Sequence, residues 1–256
     1  MIHMTSPPPS LADKAYQSLR RMITQGAIGN EPVSEIRLAE EIGVSRTPIR
    51  EAVRRLVGQG ILEVTAQGVR LLVPSVEDLA EVYYTRAILE GAAGRLAANA
   101  DGSAALIERL RAILEQAEPQ LEADNHDAFV RLNGQFHGEI VAASGNRRIQ
   151  EMLASLDMTI VRYRRMSLLH PEHLRRSYED HLRILDLLDK KQPEQLEVHI
   201  RDHILRAGAR IVSATIRIDG GTVAAGSTAA TLLKMGETRS NEKSRDYYAV
   251  DAGSPN

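Results

Sequence analysis

The sequence predicts a mostly α-helical protein with two domains: a small N-terminal domain that ends in a β-hairpin, over 11–74, and an all-α antiparallel helical bundle, over 75–213. Three observations predict this fold class. Apolar residues recur at helical spacing through most of the 256 residues. The convincing β-like segments are two short ones near 61–73. The chain has no Trp and 4% aromatic residues, so its cores must be mostly aliphatic.

The N-terminal domain begins with a predicted amphipathic helix over 11–25. Ser34 is a good cap for a short second helix, which Gly43 ends. Ser45 then caps a third helix with Pro48 in its first turn, where a missing N–H costs nothing. We expect the apolar residues of the last two helices to face inward: Ile36, Leu38, Ala39 and Ile42 in one, Ile49, Val53, Leu56 and Val57 in the other.

The third helix leaves a row of cationic and polar side chains pointing outward: Arg46, Thr47, Arg50 and Arg54. Such an exposed N-terminal turn suits phosphates and guanine edges. The formal net charge of −2 does not indicate nucleic-acid binding, but residues 45–58 hold four arginines against one glutamate. DNA affinity depends on that local field. The pattern therefore predicts a DNA-reading helix-turn-helix.

Two predicted strands, over 61–65 and 69–73, follow this helix, with a turn between them that contains Gly68. Helix, helix-turn-helix and hairpin is the winged-helix order. The alternative, that the arginines only solvate a surface helix, is disfavoured because caps, turn and hairpin all agree. One such module neutralises few phosphates, so we expect a homodimer on a roughly palindromic double-stranded DNA operator.

The segment VSRTPIREAVRRL (44–56), followed by GIL and a glycine-containing wing, resembles the signature of GntR-family transcription regulators. The resemblance implies that Arg46, Thr47 and Arg50 contact DNA in the major groove. It also implies that the wing tip, Gln67 and Gly68, approaches the minor groove.

The chain departs from the family pattern at two places. The loop before the second helix usually carries Pro-Gly, whereas this chain has Gly-Asn-Glu-Pro at 29–32. A position near the start of that helix is sometimes a DNA-contacting arginine, and here it is Ile36, with Arg37 beside it. Arg37 and Arg54 complete our set of candidate DNA contacts.

The second domain opens at Ser75–Asp78, which resembles a capping box. Periodicity predicts helices over 76–99, 103–117, 125–143, 147–169, 173–190 and 194–213, separated at glycines and prolines that include Pro119. The residues at 214–256 lack periodicity, and we expect them to be disordered. The chain has no cysteine, which excludes disulfides and thiolate metal sites and suits a cytoplasmic protein. It has no apolar run of about 18 residues, so no membrane segment is expected.

Histidines on separate predicted helices form the second candidate site. Asn133 and His137 share one helix face, and His181 and His203 lie on the last two helices. Three imidazoles and an oxygen ligand from antiparallel helices suit a divalent metal such as Zn²⁺, Ni²⁺ or Mn²⁺. From spacing alone, surface or hydrogen-bonded core histidines remain the better interpretation.

A second resemblance favours the metal. YYTRAILEGAAGRLA (83–97), NGQFHGEI (133–140), SYEDHLRILDLL (177–188) and HIRDHI (199–204) resemble the FCD effector-binding domain of the FadR branch of the GntR family. The resemblance implies a metal site at Asn133, His137, His181 and His203, although Asp is more usual at the first position. His199 is a rival for the last one, and the spacing of 22 residues after His181 favours His203.

In that family the metal usually helps to bind a small organic acid. Arg86 matches an arginine that often lines the effector pocket; its alternative role is a surface ion pair with Glu90, four residues on. Arg162 and Tyr163, within a second basic cluster, are further effector-binding candidates.

These patterns predict a ligand-responsive transcription regulator, a repressor, with coupling through Pro74 and the helix that begins after it. One alternative is a regulator that senses a lipid-like ligand without metal. Another is a metallohydrolase fused to a DNA-binding module, which is disfavoured because no HExxH or GxSxG motif is present. Glu139, two residues after His137, points away from the histidine face. We therefore expect no enzyme activity.

Overall fold

The computed structural model describes residues 10–24, 26–72, 75–123, 125–156, 171–219 and 223–235. Packing divides the chain into two compact units, Met1–Pro74 and Ser75–Asn256. We call them unit 1 and unit 2. The described residues include no helix that is both long and apolar enough to cross a membrane.

Unit 1 contains three helices and a two-stranded antiparallel sheet. The elements are α1 (Leu11–Thr24), α2 (Glu35–Ile42), α3 (Arg46–Gly58), β1 (Leu62–Thr65) and β2 (Gly68–Leu71). Leu62 pairs with Leu71 and Thr65 with Gly68, and Val33 adds an isolated antiparallel bridge to Val69. This is the predicted winged helix-turn-helix.

Local capping explains where the short helices begin and end. The Ser34 hydroxyl accepts the backbone N–H of Arg37, and Gly43 ends α2 in the left-handed region at φ 75°. Ser45 stands at the start of α3 in extended backbone, without a side-chain capping bond in the described structure. Pro48 is the third residue of α3, and its ring is buried. Both helix starts agree with the prediction.

The core of unit 1 is aliphatic, as expected, and includes Leu19, Leu38, Ile49 and Leu56 with no measurable exposure. Two inward predictions are wrong. Ile36 is 50% exposed, because it lies about 200° around α2 from the buried Leu38. Val57, in the last turn of α3, is 36% exposed.

Unit 2 is helical throughout its described part. Its helices are α4 (Val76–Ala98), α5 (Ser103–Glu122), α6 (His126–Ala143), α7 (147–156, its described part), α8 (Pro171–Asp189), α9 (Pro193–Asp219) and α10 (228–235). The predicted capping box opens α4: Ser75 Oγ accepts the N–H of Asp78, and Asp78 accepts the N–H of Ser75. A buried aliphatic cluster with Phe136 forms the main core.

The antiparallel pair α4 and α9 forms the centre of unit 2. At one end Arg95 bonds Glu194 and Glu197, and at the other Tyr83 packs on Gly208. Small residues allow this close approach, since a Cβ at position 94 would lie 2.3 Å from Ile200 Cδ1. Side chains of α4 and α9 therefore face one another at several levels.

Two predicted boundaries need correction. Helix α5 continues past Pro119 to Glu122. A proline in the last turn removes one backbone donor, and the carbonyl it would have bonded belongs to the exposed Glu115, within reach of water. Helix α9 continues to Asp219 rather than ending near 213.

The disorder predicted from residue 214 is also corrected where the tail is described. Helix α10 buries Ala229 and Leu232 in the main core of unit 2. The carboxylate of Glu77, in the first turn of α4, accepts the backbone N–H groups of Thr228 at 2.6 Å and Ala229 at 3.2 Å. A carboxylate from elsewhere in the chain therefore caps this helix together with the local Ser227, whose Oγ accepts the N–H of Ala230 at 3.2 Å.

Candidate nucleic-acid interface and metal centre

The outward face of α3 carries the predicted cationic row. Arg46, Thr47 and Arg54 are exposed. The Arg50 side chain is 56% exposed, and its Nε lies 3.1 Å from Glu35 Oε2 at the start of α2. An exposed pair of this kind is weak and easily exchanged for a phosphate. The outward face of α3 thus presents cationic side chains that solvent, and therefore a phosphate, can reach.

The remaining candidate contacts lie on α2 and the hairpin. Arg37 and Gln67 are exposed, and the backbone N–H of Gln67 donates to Thr65 Oγ1 at the turn. Gly68 has φ 142°, and a Cβ there would lie 2.4 Å from the carbonyl oxygen of Val33. The close approach of the wing to Val33 therefore requires a glycine at position 68, independently of any contact that this residue makes with DNA.

Arg55 differs from the other arginines of α3. Its Nη1 lies 2.7 Å from Asp13 Oδ1, and its guanidinium lies 4.0 Å from the centroid of the Tyr16 ring. Arg55 thus ties α3 to α1, so its guanidinium has a structural role within unit 1.

In unit 2 the fold brings three predicted histidines together. His137 of α6, His181 of α8 and His203 of α9 each place a ring nitrogen within 4.8 Å of the others. All three are 2–3% exposed. Imidazoles gathered this closely in the interior need either mutual hydrogen bonds or a shared cation.

A buried carboxylate orients His137. Its Nδ1 lies 2.6 Å from Glu90 Oε2, and its Nε2 lies 3.3 Å from His181 Nε2. Because an ionised carboxylate only accepts hydrogen bonds, the proton must be on Nδ1. The Nε2 lone pair then points toward the other histidines, as a metal ligand requires.

A second carboxylate orients His203. Its Nδ1 lies 3.0 Å from Asp180 Oδ2, which also accepts a bond from Arg206 Nη2 at 2.9 Å. The same reasoning puts the proton on Nδ1 and leaves Nε2 of His203 as the ligand atom. Asp180 immediately precedes His181. Helix α8 therefore supplies both a candidate ligand, His181, and the carboxylate that orients His203.

The electrostatics favour neutral rings. Burial lowers the pKa of His137 to about 3, and Glu90 opposes this only in part. Burial likewise lowers the pKa of His203, against the opposing effect of Asp180. Burial would raise the pKa of Glu90, but the Arg86 guanidinium and then His137 outweigh it and lower that pKa. Neutral imidazoles beside ionised carboxylates are the protonation states in which histidine binds metal.

Arg86 adopts the ion pair foreseen as its alternative role, but in the interior rather than at the surface. Its Nε donates to Glu90 Oε1 at 2.5 Å, and both side chains are about 5% exposed. Arg86, Glu90 and His137 thus form a continuous chain from α4 to α6. The orienting roles of Glu90 and Asp180 were missed by the sequence reasoning, since their partners lie on other helices.

Asn133 lies one turn before His137 and is 6% exposed. Its Nδ2 donates to Ser177 Oγ at 3.1 Å, one turn before His181. His199, the rival of His203, lies outside the group of three: its Nε2 lies 3.2 Å from the backbone oxygen of Asp180. The predicted effector residues Arg162 and Tyr163, and the predicted hinge at Pro74, fall outside the described residues.

The donor set fits a divalent metal. Three buried imidazoles, two of them held by carboxylates, match the ligands of three-histidine sites that leave further positions open for another ligand.

Two family models match the chain. Residues 11–73 match "Bacterial regulatory proteins, gntR family", and residues 81–206 match the "FCD domain". The chain is 32% identical over 205 residues to a "Probable D-xylose utilization operon transcriptional repressor" of Paenarthrobacter nicotinovorans, spanning 79% of this chain and 88% of that protein. It is 30% identical over 173 residues to the gluconate operon transcriptional repressor of Bacillus subtilis (strain 168), spanning 67% and 70%.

The fold has counterparts among solved structures. E. coli McbR/YncC superposes with a TM-score of 0.64 at 24% identity, over 82% of this chain and 97% of that one. Both matched families and both named relatives are transcriptional regulators rather than enzymes.

Proposed function

The chain belongs to the GntR family of bacterial transcription regulators and carries an FCD domain, and from this premise we propose that it is a homodimeric cytoplasmic repressor controlled by a small organic acid. The acid binds at a divalent metal held by unit 2, and its binding changes the affinity of unit 1 for an operator. One of the relatives named above represses a gluconate operon, and gluconate is itself an organic acid anion.

The observation that carries the proposal is the convergence of His137, His181 and His203 within 4.8 Å, with carboxylates behind two of them. Burying three imidazoles and two carboxylates is costly unless each is hydrogen-bonded, ion-paired or bound to a cation, and a metal would bind the histidine nitrogens that face one another. We propose that the three histidines bind Zn²⁺, Ni²⁺ or Mn²⁺, with Asn133 as an additional oxygen ligand. Because the amide oxygen of Asn133 is neutral, the site keeps more positive charge for an incoming carboxylate than an Asp would leave.

On the DNA side we propose that Arg46, Thr47 and Arg50 enter the major groove. Arg37 and Arg54 contact phosphates, and the wing tip at Gln67 and Gly68 approaches the minor groove. These side chains other than Gly68 are exposed on unit 1. Two copies on a roughly palindromic site give the number of phosphate contacts that useful affinity requires.

Coupling between the two activities runs through α4. This helix begins at the first residues of unit 2 and carries Arg86 and Glu90, and Glu90 bonds His137. We propose that metal and effector shift Glu90, and that α4 transmits this shift to the hinge at Pro74. An effector changes the DNA equilibrium only by its difference in affinity for the two states.

The test is a thermal-shift screen of organic acids on metal-free protein and on protein loaded with Zn²⁺, Ni²⁺ or Mn²⁺. We expect some acids to raise the melting temperature only when metal is present. Those acids should lower affinity for a duplex obtained by in vitro selection, measured by fluorescence anisotropy, and light scattering should report a dimer. If fatty acids but no small acids stabilise the metal-free protein, the lipid-sensing alternative replaces this proposal.

A further inference from the structure

A row of cations continues from the histidines along α9. Arg206 and Arg210 follow His203 by three and seven residues, so all three lie on one face of the helix. Seven residues correspond to about 10 Å of helix rise. The two arginines therefore occupy the levels directly after the histidine cluster, toward the end where Tyr83 of α4 packs on Gly208.

Among the described residues, this row shares the carboxylate of Asp180. Arg206 is 12% exposed and bonds Asp180, and that carboxylate already accepts a bond from His203. Asp180 is thus shared between a histidine and an arginine before Arg210 is considered. Arg210 is half-buried and adds a second guanidinium beside this shared carboxylate, so positive charge exceeds negative charge among the described side chains of the row.

Arg210 is the member of the row whose Nε–H lacks a hydrogen-bond acceptor among the described residues. Its Nε atom is buried, and no hydrogen-bond partner for it exists among the described residues. Burial lowers the pKa of Arg210 to about 10, with Asp180 opposing this and the guanidiniums of Arg206 and Arg176 adding to it. A buried N–H without a partner costs free energy, so its retention calls for a role.

We propose that Arg210, with Arg206, binds a second acidic group of the effector, so that the effector is a short dicarboxylate. One carboxylate completes the coordination of the metal, and the other bonds the Nε–H and an Nη–H of Arg210. A planar guanidinium suits a carboxylate in this two-bond geometry. Helical side chains lean toward the helix N-terminus, which for Arg210 is the direction of His203, so we expect the gap to suit acids with only a few carbons between their carboxylates. The inference rests on the proposed function and specifies its ligand class.

The experiment compares acids of equal carbon number on the Zn²⁺-loaded full chain by calorimetric titration: propionate with malonate, and butyrate with succinate. In the wild type we expect the better dicarboxylate to bind about 10- to 100-fold more tightly than its monocarboxylate, the range for one charged hydrogen-bonded pair. Arg210→Met should bring that ratio close to one and leave the monocarboxylate affinity unchanged. Arg210→Lys should keep part of the ratio.

Arg217→Met is the matched control, because Arg217 is exposed in the last turn of the same helix; it should keep the full ratio. The melting temperature of the ligand-free protein gives an independent readout. Because the Nε of Arg210 has no hydrogen-bond partner among the described residues, Arg210→Met should leave this temperature equal or higher. A lower melting temperature together with an equal loss for both kinds of acid means a structural role and overturns the inference.

Two further outcomes separate this inference from the proposed function. If monocarboxylates bind the Zn²⁺-loaded wild type as tightly as dicarboxylates, the second acidic group is wrong while the metal-dependent effector stands. If neither kind of acid binds, both fail.

Discussion

The cations of unit 1 and the histidines of unit 2 differ in how firmly the fold holds them. Arg50 on α3 is 56% exposed and bonds Glu35 at the surface, whereas His137, His181 and His203 are 2–3% exposed and carboxylates orient two of them. Phosphates approach from solvent and bring their own charge, so exposed side chains can adjust to them. A metal instead needs neutral nitrogens already in position, because ligand geometry sets its affinity.

The largest expected effect tests whether the buried histidines act as one site. His203→Ala should abolish binding of one Zn²⁺ per chain, because one of three ligands is lost and Asp180 keeps no imidazole to orient at the site. His199→Ala is the matched control: His199 lies one turn earlier and bonds the Asp180 backbone. It should retain the metal. Elemental analysis after dialysis measures both, and metal loss in His199→Ala instead would contradict the assignment.

The next effect concerns the exposed arginines. Arg46→Ala and Arg50→Ala should each weaken DNA binding about 10- to 100-fold, which corresponds to one good base or phosphate contact. Their individual stabilities should change little, since both side chains are exposed. Anisotropy titrations at several salt concentrations measure this. Arg109→Ala removes the same charge from the surface of unit 2 and should leave the affinity for DNA unchanged. An equal loss of affinity in Arg109→Ala would mean that the effect comes from net charge rather than from a direct contact.

Glu90→Gln tests how much the carboxylate contributes to the buried site. The amide can no longer accept as strongly from His137, and Arg86 loses its counter-charge, so we expect metal affinity to fall about 10- to 100-fold. Glu81→Gln, at an exposed position of the same helix, should leave it unchanged. Competition with a chromogenic chelator gives both affinities. Unaltered affinity in Glu90→Gln would mean that the carboxylate only balances Arg86.

The smallest effect concerns the scaffold beneath the exposed face of unit 1. Gly68→Ala puts a Cβ against the Val33 carbonyl at a φ of 142°, so we expect a loss of roughly 1–3 kcal/mol. Gly58→Ala adds its Cβ in open space at the end of α3 and should be neutral or stabilising by up to about 1 kcal/mol. Urea unfolding separates the two. Equal effects would show that the wing base tolerates a side chain.

Local signals were sufficient for much of the fold. Ser34 and Gly43 bound α2 as predicted, and Ser75 with Asp78 forms the expected capping box, because caps act over three or four residues. Pro119 misled the prediction, since a proline in a final turn is tolerated where the freed carbonyl meets water. Helix α10 has a local cap, Ser227, but it was missed because the core on which it packs and its second capping group, Glu77, are distant in the chain.

The candidate site divides in the same way. The resemblance to the FCD domain nominated His137, His181 and His203 but left His199 as a rival, since residues one turn apart share a helix face. Packing distinguished them by placing His203 in the cluster and His199 beside a backbone carbonyl. It also turned the pair of Arg86 with Glu90 from an expected surface contact into a buried support for His137.

The sequence nominated Asn133, His137, His181 and His203 through its resemblance to the FCD domain, and by itself it determined the helical fold class and the winged helix-turn-helix with its outward arginines. Periodicity, caps and turns express these features within a few residues. Only the tertiary structure decided which ring nitrogens converge, which carboxylates orient them and that the buried Nε of Arg210 has no partner among the described residues. Those outcomes depend on contacts between helices tens of residues apart, where burial removes the water that would otherwise satisfy each group.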